Sequence, residues 1–150
     1  MTSNLIFKGY KVKDISFKLM NIEPGITNFK LNPKIGVNVH KFDKGFDMVM
    51  NLDILKENDL PVPFELSLCL ISKFLVANID EVNLNVLVAK AAEIVFPYLR
   101  SVVSSITMSA NITPYVLPII NMSNIFANNP TITNRSPKKG GGSEITKVLI

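Results

Sequence analysis

Apolar and polar positions alternate along the first half of the chain and then change to a helical period. Over residues 5–20 Ile15, Phe17 and Leu19 fall on one side and Asp14, Ser16 and Lys18 on the other, which predicts a long first strand. Residues 21–32 contain Pro24-Gly25 and read as a crossover loop, yet they include Ile22, Ile26, Phe29 and Leu31. A second strand is expected over Lys34–Lys41, with Ile35, Val37 and Val39 pointing one way, followed by a turn at Asp43-Lys44-Gly45. The third has the cleanest period: Phe46, Met48, Met50, Leu52 and Ile54 alternate with Asp47, Val49, Asn51, Asp53 and Leu55. After a turn over Glu57–Pro63, a fourth strand starts at Phe64 with Phe64, Leu66, Leu68 and Leu70 on one face. From Leu84 the spacing becomes three and four, through Leu87, Val88, Ala91, Ile94, Val95, Tyr98, Leu99, Val102 and Ile106. About six turns of helix with one buried stripe follow from that period. Lys90, Glu93, Ser101 and Ser104 lie off the stripe, as a solvated face requires. Pro97 lacks an N–H and crowds the carbonyl of Glu93, which predicts a kink.

Beyond Ser109 the period ends. Pro114 and Pro118 interrupt any helix, while Tyr115, Val116, Leu117, Ile119 and Ile120 around them are all large and apolar. Loops normally run through water with polar residues, so this one must cover or receive something hydrophobic. Ser123 is a candidate N-cap for a short second helix ending before Pro130. The domain is therefore expected over residues 1–129. Residues 130–150 are expected as a flexible tail, polar and carrying Gly140-Gly141-Gly142-Ser143, whose last residues, Ile145–Ile150, have the composition to add a strand to a free sheet edge. Strands first and helices afterwards indicate an α+β fold, a four-stranded antiparallel sheet (a meander with a crossover loop) packed by one long and one short helix.

Composition adds to this picture in one respect. Of the 150 residues 47% are hydrophobic, and mean hydropathy is +0.28, more than one small core absorbs; an oligomer, an apolar binding surface, or both are expected. Cys69 is the single cysteine, set in an apolar strand where a buried, inert thiol is expected, so a reducing cytoplasm fits. The N-terminal segment has no long apolar run of the signal-peptide kind, and no stretch has the length of a membrane span. Net charge is +4, and residues 1–44 hold eight lysines against Asp14, Glu23 and Asp43. A basic nucleic-acid-binding module using Lys8, Lys11, Lys13 and Lys18 with Tyr10 is one reading of that bias, but no arginine cluster or recognition motif accompanies it. Chemistry is sparse. His40 is the only histidine, no metal set is spaced for ligation, and the triple glycine has no phosphate-loop context, so no catalytic residues, cofactor or metal are expected.

Four motifs in order carry a resemblance. Lys13-Asp14-Ile15-Ser16-Phe17, Pro33-Lys34-Ile35, Phe96-Pro97-Tyr98-Leu99-Arg100, and the stretch from Pro114 through Leu117-Pro118 and Ile120-Asn121 to Phe126 resemble the SecB protein-export chaperones. The resemblance covers residues 10–126 and implies a homo-oligomer built as a dimer of dimers, which holds unfolded polypeptides (preproteins) non-covalently for export. It further implies a client groove framed by the crossover loop and the second helix, here Ile22, Ile26, Phe29 and Leu31 facing Tyr115, Leu117, Met122, Ile125 and Phe126. Micromolar holding requires about 8 kcal/mol net beyond an association cost of about 4–15 kcal/mol. At about 1.5–3 kcal/mol per buried large side chain, several anchors must act together. In that family an acidic sheet surface docks the basic tail of the SecA motor. Asp14 matches one such acid, but Lys18 stands where another is expected, and a lysine repels a basic partner. A dedicated SecB-like chaperone for one partner, of the toxin–antitoxin type and without SecA coupling, is the alternative.

Overall fold

A computed structural model of the chain describes residues 5–22, 24–25, 29–57, 60–77, 84–121 and 144–149. Strands β1 (Leu5–Leu19), β2 (Lys34–Phe42), β3 (Gly45–Ile54) and β4 (Phe64–Val76) precede helix α1 (Leu84–Ser109), and a last strand, β5, spans Glu144–Leu149. The sheet runs β1-β4-β3-β2-β5 with every neighbouring pair antiparallel. Strands β2, β3 and β4 form the meander. The crossover loop carries the chain from β1, at one edge, to β2 on the far side of β3 and β4. The tail expected over 130–150 contributes β5 to that far edge. The short helix expected from Ser123 lies outside the described residues.

One face of the sheet is the core. Across the strands Ile35, Leu52 and Leu68 stand in one row, Val37, Met50 and Leu70 in the next, and Phe46 with Phe74 in another, all of them buried. Strand β1 joins these rows only because it breaks its own alternation twice. Register shifts between Phe7 and Tyr10 and between Val12 and Asp14 each insert one residue. The first contains Gly9, at φ 106°, where glycine costs nothing and other residues are strained. The two bulges keep Phe7, Tyr10, Val12, Ile15, Phe17 and Leu19 opposite Phe74, Ser72, Leu70, Leu68, Leu66 and Phe64, so all face the core side.

Gly45, at the start of β3, is needed for space: a Cβ there would meet the Phe74 carbonyl. Helix α1 runs unbroken through Pro97 and buries Leu87, Ala91, Val95, Leu99, Val103 and Thr107, one row at i+4 spacing. Aromatic contacts join it to the sheet. Tyr98 lies 4.8 Å from Tyr10 and 5.6 Å from Phe7 between ring centres, and Phe7 continues to Phe74 at 5.3 Å. The helix ends in an αL cap. Asn111, at φ 61°, donates its N–H to the Met108 carbonyl and Ile112 to that of Thr107, satisfying carbonyls the last turn leaves open.

Candidate peptide-binding surface

The segment from Thr113 to Asn121 has no regular structure and is fixed by the helix before it. Arg100, Ser104 and Thr107 lie three and four apart, so they share one face of α1. The Arg100 Nε–H donates to the Leu117 carbonyl at 2.9 Å, and the Ser104 hydroxyl to the Tyr115 carbonyl at 3.0 Å. Thr107 Oγ1 accepts the Tyr115 N–H at 2.9 Å while its hydroxyl lies 3.0 Å from the Val103 carbonyl. Backbone groups of an apolar loop, which would otherwise be desolvated without partners, are satisfied in this way.

With its backbone held, the loop alternates over residues 115–117. Leu117 is 1% exposed and belongs to the core cluster, and Tyr115 is half-buried with its ring edge-on to Phe64 at 6.0 Å. Burial pushes the Tyr115 phenol above its ordinary pKa. Val116 and Ile119 face out at 58% and 84% exposure. Leu117, expected on the client groove, is therefore a core anchor. The outward pair, Val116 and Ile119, was absent from the expected site. For Val116 parity was the available signal: in an extended segment successive side chains point to opposite sides, so burying 115 and 117 exposes 116. Ile119 has the parity of the buried pair and faces out because the alternation ends at Pro118, which is itself exposed. Ser104 is likewise not solvated as expected but half-buried beneath the loop.

Of the crossover-loop candidates, Ile22, Phe29 and Leu31 are half-buried, and Leu31 packs against the core cluster, as does Tyr115. Ile26, Met122, Ile125 and Phe126 lie outside the described residues.

The other sheet face carries Asp14 and Lys18, both exposed. Three acids on this face stand opposite lysines across the strands, Glu65 facing Lys18, Asp53 facing Lys34 and Asp47 facing Lys73, while Asp14 stands opposite Cys69. A shallow cavity of about 150 Å³, lined by Asp14, Asn51, Asp53, Ser67, Leu68 and Cys69, lies here, with Ser67 Oγ donating to Asp53 at 2.7 Å. Cys69 belongs to this face and is half-buried, a correction to the expected core thiol, and burial raises its pKa against the opposing pull of Lys13. Near the end of β3 Glu57 pairs with Lys34 at 3.0 Å, and the hydrogen bonds from Lys34 and Asn32 lower its pKa. His40 is exposed.

The family model for preprotein translocase subunit SecB matches residues 2–132. The chain belongs to the SecB family. An uncharacterized protein of Methanocaldococcus jannaschii is 28% identical over 142 residues, covering 90% of each chain. The protein-export protein SecB of Orientia tsutsugamushi (strain Ikeda) is 27% identical over 138 residues, covering 85% of this chain and 82% of the relative. Among solved structures, a SecB-like chaperone of Mycobacterium tuberculosis, in complex with a ChAD peptide from the HigA1 antitoxin, superposes with a TM-score of 0.59 at 12% identity. That superposition covers 77% of this chain and 90% of the other, and it establishes the shared SecB-like fold. Among the described residues of this SecB-family chain, no helix is long and apolar enough to cross a membrane.

Proposed function

We propose that this SecB-family protein is a cytoplasmic holdase, which binds unfolded polypeptides on an apolar surface and keeps them from folding or aggregating. Its action is non-covalent. The observation that carries the reading is the loop at residues 113–121, clamped to α1 by Arg100, Ser104 and Thr107 with Val116 and Ile119 turned outward. Exposed side chains of that size on a held backbone can receive apolar segments with little further ordering cost. Phe29 and Leu31 of the crossover loop, with Ile22, supply the opposite wall in this proposal, and Tyr115 adds to the loop side. Leu117 acts from beneath by fixing the loop. Several shallow anchors repeated around a homo-oligomer reach useful affinity through effective concentration.

The test is suppression of aggregation of a chemically unfolded client diluted into buffer with stoichiometric chaperone. The wild-type protein is expected to suppress it. Val116→Asp combined with Ile119→Asp should abolish suppression while leaving circular dichroism and the melting temperature unchanged. A wild-type protein without effect on several clients overturns the proposal.

A second reading, service to one dedicated partner without the SecA motor, is favoured by the lysines opposite Glu65, Asp53 and Asp47. Interleaved charge gives no single-sign field to attract a basic tail. The M. tuberculosis SecB-like chaperone, solved in complex with an antitoxin peptide, is a precedent for such a client. Co-expression with the products of neighbouring genes distinguishes the two: one otherwise insoluble product made soluble supports dedication, and binding of a SecA tail peptide argues for export.

A further inference from the structure

Among the described residues strand β5 pairs with β2 and with no other strand, Ile35 to His40 standing opposite Leu149 to Glu144. Without β5, the edge of β2 is a row of open N–H and C=O groups, the form to which an extended chain adds. Ile35, Val37 and Val39 are fixed in the core and stand opposite Leu149, Lys147 and Ile145, so they offer an added strand a flat flank and no pocket. Recognition at this edge is therefore chiefly through main chain, which tolerates many sequences. The strand that occupies it is six residues long and follows Gly140-Gly141-Gly142-Ser143. A short strand held by one ladder sits at the low-stability end of a fold.

We propose that the β2 edge is a strand-addition site for extended client polypeptide, and that β5 is its tethered resident, which leaves when a client strand takes its register. The inference rests on the holdase reading and adds a second mode of grip to it. Tethering gives β5 an effective concentration on the order of millimolar. A micromolar client strand displaces it only if it binds about a thousandfold better or is already held nearby by other contacts. The edge then selects chains that the apolar loop has captured and rejects stray strands.

The experiment uses the full chain carrying Thr146→Pro with Lys147→Pro. Successive strand residues direct their N–H groups to opposite sides, so one of the two prolines removes a ladder donor facing β2. A fluorescent peptide of sequence 144–150 is titrated against wild type and variant, and hydrogen exchange is followed over residues 34–42. The variant is expected to bind the peptide at least tenfold more tightly than wild type, to exchange faster in β2, and to regain protection when peptide is added. Equal binding by both proteins, or unchanged exchange in β2, overturns the inference. So does β2 protection in the wild type that is lost on dilution, since the strand would then come from a second copy. Aggregation suppression is measured on the same samples. Suppression by wild type with a negative peptide result removes the β2 edge alone. No suppression by wild type removes the holdase reading, and client displacement with it.

Discussion

Thr107 does the work of two residues. Its hydroxyl bonds back to the helix at Val103, and its oxygen takes the N–H of Tyr115, so one buried side chain fastens the loop to α1. Valine has the same shape without that acceptor. Thr107→Val is therefore expected to leave the Tyr115 N–H without a partner, at a cost of about 1–3 kcal/mol. Chemical denaturation should report the loss. Aggregation suppression should weaken as well, because Val116 and Ile119 depend on a held backbone, while helix content stays unchanged. A Thr107→Val protein as stable and as active as wild type contradicts the role given to this hydroxyl. Arg100 and Ser104 share the task, yet from the sequence they read as residues outside the buried stripe. A single apolar stripe describes a helix that meets a sheet on one side. It does not anticipate a loop folding onto a second side through hydrogen bonds.

At the level of elements, what was legible depended on how strictly a segment kept its period. Helix α1 spans the stretch its three-and-four spacing marks out, Leu84 to Ser109, and β3 and β4 follow their alternation. Strand β1 was less legible, because Gly9 and the irregularity before Asp14 each shift the register by one residue. The face holding Ile15, Phe17 and Leu19 is read correctly from alternation, but the membership of Phe7, Tyr10 and Val12 on the same face depends on the bulges. The apolar character of the loop after α1 is plain in its composition, but composition does not separate its inside, Leu117, from its outside, Val116. The end of α1 sets that loop's course. Asn111 holds φ 61°, a conformation open to asparagine and glycine and strained for β-branched residues. Asn111→Gly is expected to keep the cap with stability within about 0.5 kcal/mol of wild type. Asn111→Val should cost about 1–3 kcal/mol and loosen the segment that follows. Equal melting temperatures for the two variants would show that the cap does not direct the loop.

For the molecule as a whole, the composition asks for more burial than one protomer supplies, and β1 is where the excess lies. This strand has 15 residues and forms the edge opposite β5, with β4 its sole strand neighbour among the described residues. Val12, Ile15 and Leu19 stand in register with the core rows, yet remain 40%, 47% and 58% exposed, since α1 does not cover them. Tyr98 and Met108 are exposed on α1. A long bare edge invites uncontrolled pairing, and Lys8, Lys11, Lys13 and Lys18 are the usual protection against it. Protection of that kind still permits one defined partner. Two copies of β1 related by a two-fold axis bring the same residues together on each side and continue the apolar rows from one sheet into the next. The protein is accordingly expected to be a homo-oligomer in solution, and light scattering at micromolar concentration should return a mass of at least two chains. Ile15→Lys with Leu19→Lys places like charges across that axis and should shift the mass to one chain while the circular dichroism spectrum stays the same. The monomer should also suppress aggregation less per chain, because shallow anchors on separate protomers no longer act on one client. A wild-type protein that is monomeric at these concentrations leaves the exposed row on β1 without a partner and removes avidity from the holding mechanism.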